Sequence, residues 1–155
     1  MQSKSKLIMI AALAMIVCGL ASPALADSGR LQPCSNRTLK GDYGFTIEGI
    51  LGIPGAQLPP GLGLTLRGLA MAHYDGRGNF TQVDHVVVAF APASEDWTPG
   101  SGTYNVNPDC TGTAVINSGQ NPPLAVHFVI VKEGREIRQV VDANAVTAIG
   151  VKVDD

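Results

Sequence analysis

The stretch Leu64-Thr65-Leu66-Arg67-Gly68-Leu69-Ala70-Met71-Ala72-His73-Tyr74-Asp75-Gly76-Arg77-Gly78-Asn79-Phe80-Thr81-Gln82-Val83-Asp84-His85-Val86-Val87-Val88 decides the fold. Two runs rich in apolar and β-branched residues, Leu64 to Tyr74 and Phe80 to Val88, flank Asp75-Gly76-Arg77-Gly78-Asn79. The two glycines of the pentapeptide permit the positive φ angles of a tight reversal, so the spacing predicts a β-hairpin.

The same alternation of strand-like run and turn continues on both sides. Thr103 to Val106 and Thr111 to Asn117 flank Asn107-Pro108-Asp109-Cys110, whose proline and Asx side chains favour a turn. Leu124 to Val131 and Arg135 to Val141 flank Lys132-Glu133-Gly134, while Tyr43 to Gly49 precedes the set and Ala145 to Val153 closes it. No stretch carries helical spacing of apolar residues over three turns. Eight sequential strands joined mostly by short turns predict an all-β fold, an eight-stranded antiparallel up-and-down barrel, because closure removes exposed edges. A two-sheet β-sandwich satisfies the same strand count.

Two segments break the rhythm. Ile50 to Gly63 holds Pro54, Pro59 and Pro60, and Ala89 to Gly100 holds Pro92, Pro99 and the single tryptophan, Trp97. Proline cannot donate to a sheet ladder, so both are read as loops. The first is apolar and uncharged, suited to capping one barrel end or to meeting a hydrophobic ligand, partner or membrane surface. Trp97 is read as a lid residue or part of the core rim. Gly41-Asp42-Tyr43-Gly44-Phe45 and Gly102-Thr103-Tyr104 are read as bends in the wall, since the match is too short for a repeat.

Residues 1–26 read as a cleaved signal peptide: Lys4 and Lys6 form a positive n-region, Leu7 to Leu20 an uncharged apolar core, and Ala24-Leu25-Ala26 a cleavage site. About 14 apolar residues rise only about 21 Å as a helix, short of a hydrocarbon core of roughly 30 Å. A lipid anchor on Cys18 is disfavoured by Val17, where a lipoprotein signal wants a small residue. The expected product is a single β-barrel domain, residues 27–155, exported to the periplasm or outside the cell, with no stable membrane anchor after cleavage.

The 155-residue chain has 11 Lys and Arg against 13 Asp and Glu, and the leader takes Lys4 and Lys6 but no acid, so the net charge moves from −2 to −4. No clustered basic surface of the kind nucleic acid needs is present. Of the three cysteines, Cys18 leaves with the leader. Cys34 and Cys110 remain in an oxidising compartment, where a disulfide between them is expected and two free buried thiols are the alternative.

Candidate chemistry is sparse. His73, His85 and His127 all lie on expected strands; counting out from Arg77 sets Tyr74 opposite Phe80 or Thr81 and His73 nearer Thr81 than His85, so His73 and His85 stand about four residues apart along the ladder, roughly 13 Å. A shared metal is therefore not expected. Glu48, Asp84, Glu136, Arg138 and Asp142 would matter if turned into a lumen, where pKa values shift. In the seventh strand Ile137, Gln139 and Val141 share one face, which leaves Glu136, Arg138, Val140 and Asp142 on a solvated outer face. In the third strand Val83 and Val87 share a face with His85, so the apolar count points His85 inward and makes it the candidate ligand-binding residue. There is no nucleophile elbow, no phosphate-cradling loop and no cofactor motif. Asn36-Arg37-Thr38 and Asn79-Phe80-Thr81 match the N-glycosylation acceptor, a pattern common by chance.

Cys34 with Leu39-Lys40-Gly41-Asp42-Tyr43-Gly44-Phe45, then Asp75-Gly76-Arg77-Gly78-Asn79, Ser101-Gly102-Thr103-Tyr104, Asn107-Pro108-Asp109-Cys110-Thr111-Gly112-Thr113 and Gly134-Arg135-Glu136-Ile137 resemble a group of small exported bacterial proteins of unassigned function. In shape and strand pattern the chain is also similar to the allene oxide cyclase-like barrels of the calycin type. That resemblance implies a barrel and the cysteine pair; it supplies no catalytic residue. The expected function is the binding of a small apolar ligand in the lumen. The alternatives are a cyclase-like enzyme acting on an apolar substrate in the same lumen, and a structural or interaction protein of the cell envelope with a filled barrel.

Overall fold

The computed structural model describes residues 32–52, 62–89, 96–117, 119 and 122–153. The leader and most of the two proline-bearing loops lie outside them. Eight antiparallel strands follow in chain order: β1 (Lys40–Leu51), β2 (Leu64–Asp75), β3 (Asn79–Val88), β4 (Thr98–Val106), β5 (Thr111–Asn117), β6 (Leu124–Val131), β7 (Glu136–Val141) and β8 (Ala145–Lys152). Each pairs with its sequence neighbour, and β1 pairs with β8 from Tyr43 opposite Lys152 to Ile50 opposite Ala145. That last ladder closes the barrel and removes the sandwich alternative. An eight-stranded antiparallel barrel of this kind fits a calycin-like fold.

Two strands begin well ahead of the expected positions, and β1 also runs on to Leu51, inside the expected loop. β1 starts at Lys40, ahead of Tyr43, because Gly41 takes a φ of 100° and lets the chain turn into the wall. β4 starts at Thr98, inside the expected loop: Thr98 pairs with Asp84 and Pro99 with Val83. Proline is tolerated there because it stands at the second residue of the strand, where the ladder is only beginning.

Alternation assigns the two faces of the wall. Tyr43, Phe45 and Ile47 of β1, Leu66, Ala70, Ala72 and Tyr74 of β2, and Phe80 of β3 face inward, joined by Tyr104, Val106, Ala114, Val126, Phe128, Ile130, Ile137, Val146 and Ala148. Three phenylalanine rings lie over the glycine paired with them across the ladder: Phe45 over Gly150, Phe80 over Gly102 and Phe128 over Gly112. A methyl group at these glycines would stand 2.4, 2.4 and 2.2 Å from a ring carbon. The wall glycines thus make room for the core.

One end is closed by the chain itself. Cys34 and Cys110 form a disulfide with Cα atoms 5.0 Å apart, joining the segment before β1 to the β4–β5 turn. Cys110 has a φ of 68°, the left-handed geometry that ends a three-residue hairpin loop. A short 3-10 turn (Asn36–Thr38) then crosses beneath the barrel and delivers Leu39, fully buried, into its floor. The Tyr104 hydroxyl donates to the carbonyls of Asn36 (3.1 Å) and Leu39 (3.0 Å), the Asn36 side-chain oxygen accepts from the Val106 N–H, and the Tyr43 hydroxyl donates to the Gly134 carbonyl. Tyr74 sits among Tyr43, Phe80 and Tyr104, with ring centroids 5.4, 5.2 and 5.1 Å away.

Candidate functional site

The other end is built from shorter side chains. Toward this end the strands carry Ile47, Leu66, Val86, Ile116, Leu124 and Val146 in place of the tyrosines and phenylalanines of the closed end. These do not reach across an eight-stranded barrel, whose interior is wide enough for either filling side chains or one small ligand. The result is a cavity of about 400 Å³.

Six polar residues interrupt its apolar wall, and one of them is ionisable. Gln82 and Asp84 come from β3, Gln139 from β7, Asn144 from the β7–β8 turn, and Thr98 and Thr147 from the strand ends. The Gln82 amide nitrogen donates to Asp84 Oδ2 at 2.8 Å. Gln82 lies beside Gly100, where a methyl group would stand 3.1 Å from Gln82 Cγ, so the glycine leaves the amide its place. The Asn144 side-chain oxygen accepts from the Gly52 N–H at 3.4 Å, tying the β7–β8 turn to the end of β1.

The inward placement expected for His85 is not what the structure has. β3 pairs with β2 without a break from Tyr74 opposite Phe80 to Leu66 opposite Val88, and Phe80 is in the core. Counting in twos from Phe80 puts Gln82, Asp84, Val86 and Val88 inside, and Val83, His85 and Val87 on the outer wall. Val83 and Val87 are indeed exposed. The apolar count misled because this strand has valines on both faces, whereas the aromatic nearest the turn has only one place large enough to take it. His85 stands opposite Leu69 on the outside, its ring 6.1 Å from that of Trp97, which is itself exposed.

Of the other singled-out groups, Asp84 alone reaches the lumen, and His73, His127, Glu48, Glu136, Arg138 and Asp142 lie on the outer wall. His73 is opposite Thr81, one of the two registers the hairpin count allows, and its Nδ1 is 2.7 Å from Asp42; His127 Nδ1 is 2.7 Å from Asp142. Glu48 is ion-paired with Arg67, both exposed. Ile137, Gln139 and Val141 face inward as read from alternation, and Arg138, Val140 and Asp142 are exposed. Glu136 departs from the expected solvated face: it is buried, covered by Lys132 and by Arg138, whose Nε donates at 2.7 Å. Hydrogen bonds from Lys132 first and Arg138 second hold its carboxyl below the usual range. Among the described residues, no group of three or more His, Cys, Asp or Glu is placed to share a metal.

A second depression, of about 460 Å³, lies outside against β5, β6 and β7, beside Thr113, His127, Val129, Arg138 and Val140. Its bordering His127, Val129, Arg138 and Val140 are all exposed, so a ligand there would stay hydrated. The lumen is the enclosed site, and enclosure is what lets an apolar contact count.

No protein-family model, curated protein or solved structure matches the chain.

Proposed function

We propose that this chain is an exported binding protein that holds one small, largely apolar ligand in the open half of its barrel. The observation that carries the reading is the lumen cavity of about 400 Å³, within the roughly 300–1,000 Å³ usual for ligand pockets. Its wall combines Ile47, Leu66, Val86, Ile116 and Val146 with a few polar groups, the composition by which such pockets bind and orient small molecules. A protein whose barrel served only as a scaffold would gain by filling this space, since unfilled core volume costs stability. Export is supported by the disulfide and by the leader pattern; no helix among the described residues is long and apolar enough to cross a membrane.

Native mass spectrometry of the protein purified from its own host tests the reading. A small molecule carried at one per chain, displaced by an excess of an apolar competitor and absent from an Ile116→Trp variant, is the expected result. A chain that carries nothing and takes up no apolar probe would overturn it.

A further inference from the structure

The polar groups of the cavity are not a neutral scatter. Asp84 is the only ionisable side chain among the described residues that line it. Among the described residues no lysine, arginine or histidine joins it there: Arg67 is held by Glu48 on the outer wall, and Arg138 with Lys132 covers Glu136, also outside. Among the described residues the cavity wall thus has one acid and no base, which leaves the charge of that acid without a protein counter-ion.

The hydrogen-bond chemistry of the Gln82–Asp84 pair sharpens this. An ionised carboxylate only accepts, so Gln82 must present its amide NH₂ to Asp84, which fixes the amide orientation. That leaves the Gln82 carbonyl oxygen as an acceptor beside a carboxylate that is an acceptor throughout. Gln82 is the one hydrogen-bond partner of Asp84 among the described residues. On the facing wall Gln139 and Asn144 add amide groups, and Asn144 already uses its oxygen on the Gly52 N–H. The β3 side of the cavity is therefore rich in acceptors and short of donors.

We infer that the lumen selects a small apolar molecule bearing an ammonium group, with its carbon body against Ile47, Leu66, Val86, Ile116 and Val146 and its nitrogen at Asp84 and Gln82. The inference rests on the proposed role of the lumen as a binding site and adds the chemical class of the ligand. An ammonium brings several N–H donors and the compensating charge, and charge-assisted hydrogen bonds are the strong ones. A carboxylate of the same size would bring a second negative charge and no donor into the same space, which like-charge repulsion opposes. At the β3 wall the lumen is thus set against a carboxylate as much as for an amine.

Three probes of nearly equal shape separate the possibilities: phenylbutylamine, phenylbutanol and phenylbutyrate, each titrated by calorimetry at neutral pH into the wild-type protein, Asp84→Asn and Ile116→Trp. The amine is expected to bind at least about tenfold more tightly than the carboxylate, with the alcohol between them. In Asp84→Asn the amine is expected to lose that advantage over the other two, and Ile116→Trp is expected to weaken all three. A carboxylate that binds as well as the amine would overturn the ammonium preference but leave the lumen as a binding site. An amine preference that survives Asp84→Asn would overturn the role of Asp84. If none of the three binds the wild type, the lumen reading fails and this inference falls with it. The wild-type comparison of amine with carboxylate needs no variant, so it stands even where a substitution impairs folding.

Discussion

The two halves of this barrel share one wall and solve opposite problems. In the closed half, Leu39, Tyr43, Tyr74, Phe80 and Tyr104 meet at the centre and a disulfide locks the plug beneath them. In the open half the same strands carry residues no larger than leucine, and about 400 Å³ stays free. The difference shows that β-closure alone does not fill a barrel; side-chain length at each inward position decides which part is core and which part is site. Stability should therefore be concentrated in one half, and changes in the other should fall on binding.

The largest expected effect comes from destroying the seat of an aromatic ring. Gly102→Val would place its Cβ 2.4 Å from the Phe80 ring and 2.2 Å from the Val115 carbonyl oxygen. A ring can shift, but a ladder carbonyl cannot, so a loss of more than about 3 kcal/mol in denaturant unfolding is expected, above the usual overpacking range. A loss under 1 kcal/mol, roughly a surface effect, would break the picture of a tight closed half.

Next is the staple. The bridge closes a separation of 76 residues. Cys34→Ser with Cys110→Ser should cost about 2–4 kcal/mol and lower the thermal midpoint. Non-reducing peptide mapping of the wild type should recover Cys34 joined to Cys110, and free thiols there would remove the premise.

A smaller loss is expected from Tyr104→Phe, which keeps the ring but takes the hydroxyl donor from the buried Leu39 carbonyl and leaves the part-buried Asn36 carbonyl with the Leu39 N–H. About 1–3 kcal/mol is the usual cost of leaving a buried carbonyl unpaired. The hydroxyls also make a pH prediction. Burial first, and the neighbouring Tyr104 second, push the Tyr43 hydroxyl up from 10.0 to about 12. Burial likewise pushes Tyr74 up. The folded protein then holds these protons more tightly than the unfolded chain, so their contribution is complete below pH 10 and declines as pH rises toward 12. Unfolding midpoints measured across that window should fall for the wild type, and Tyr43→Phe should flatten the decline. Equal slopes for the two would show that Tyr43 is not held as the closed half requires.

The smallest effect belongs to the open half. Ile116→Ala enlarges a space that is already empty, so its cost should be about 1 kcal/mol, below the range for a sealed core. A loss as large as that of Gly102→Val would mean that the open half is core after all.

How much of this could be read from residues alone varies along the chain. The Asp75 to Asn79 turn is legible because glycines and an Asx residue have few alternative uses: Asp75 accepts from the Arg77 and Asn79 N–H groups and from the Asn79 amide, and these bonds pull its carboxyl down to about 2. The seventh strand is legible too, since Ile137, Gln139 and Val141 alternate against charged neighbours. β3 is not, because its valines occur on both faces and periodicity loses its contrast. There Phe80, next to the turn and opposite Tyr74, is the better guide, and its period of two leads to Gln82 and Asp84. Glu136 escapes the pattern for another reason: two cations from the adjoining turn and strand fold over it.

The sequence by itself determined the β character, the turns, the strand count and the cysteines available to pair, because each depends on local backbone preference or on simple arithmetic of residue type. Only the tertiary structure decided which face of β3 looks inward and where the barrel runs out of side chain. Both depend on what stands across the lumen, from strands distant in sequence, and closure brings those together.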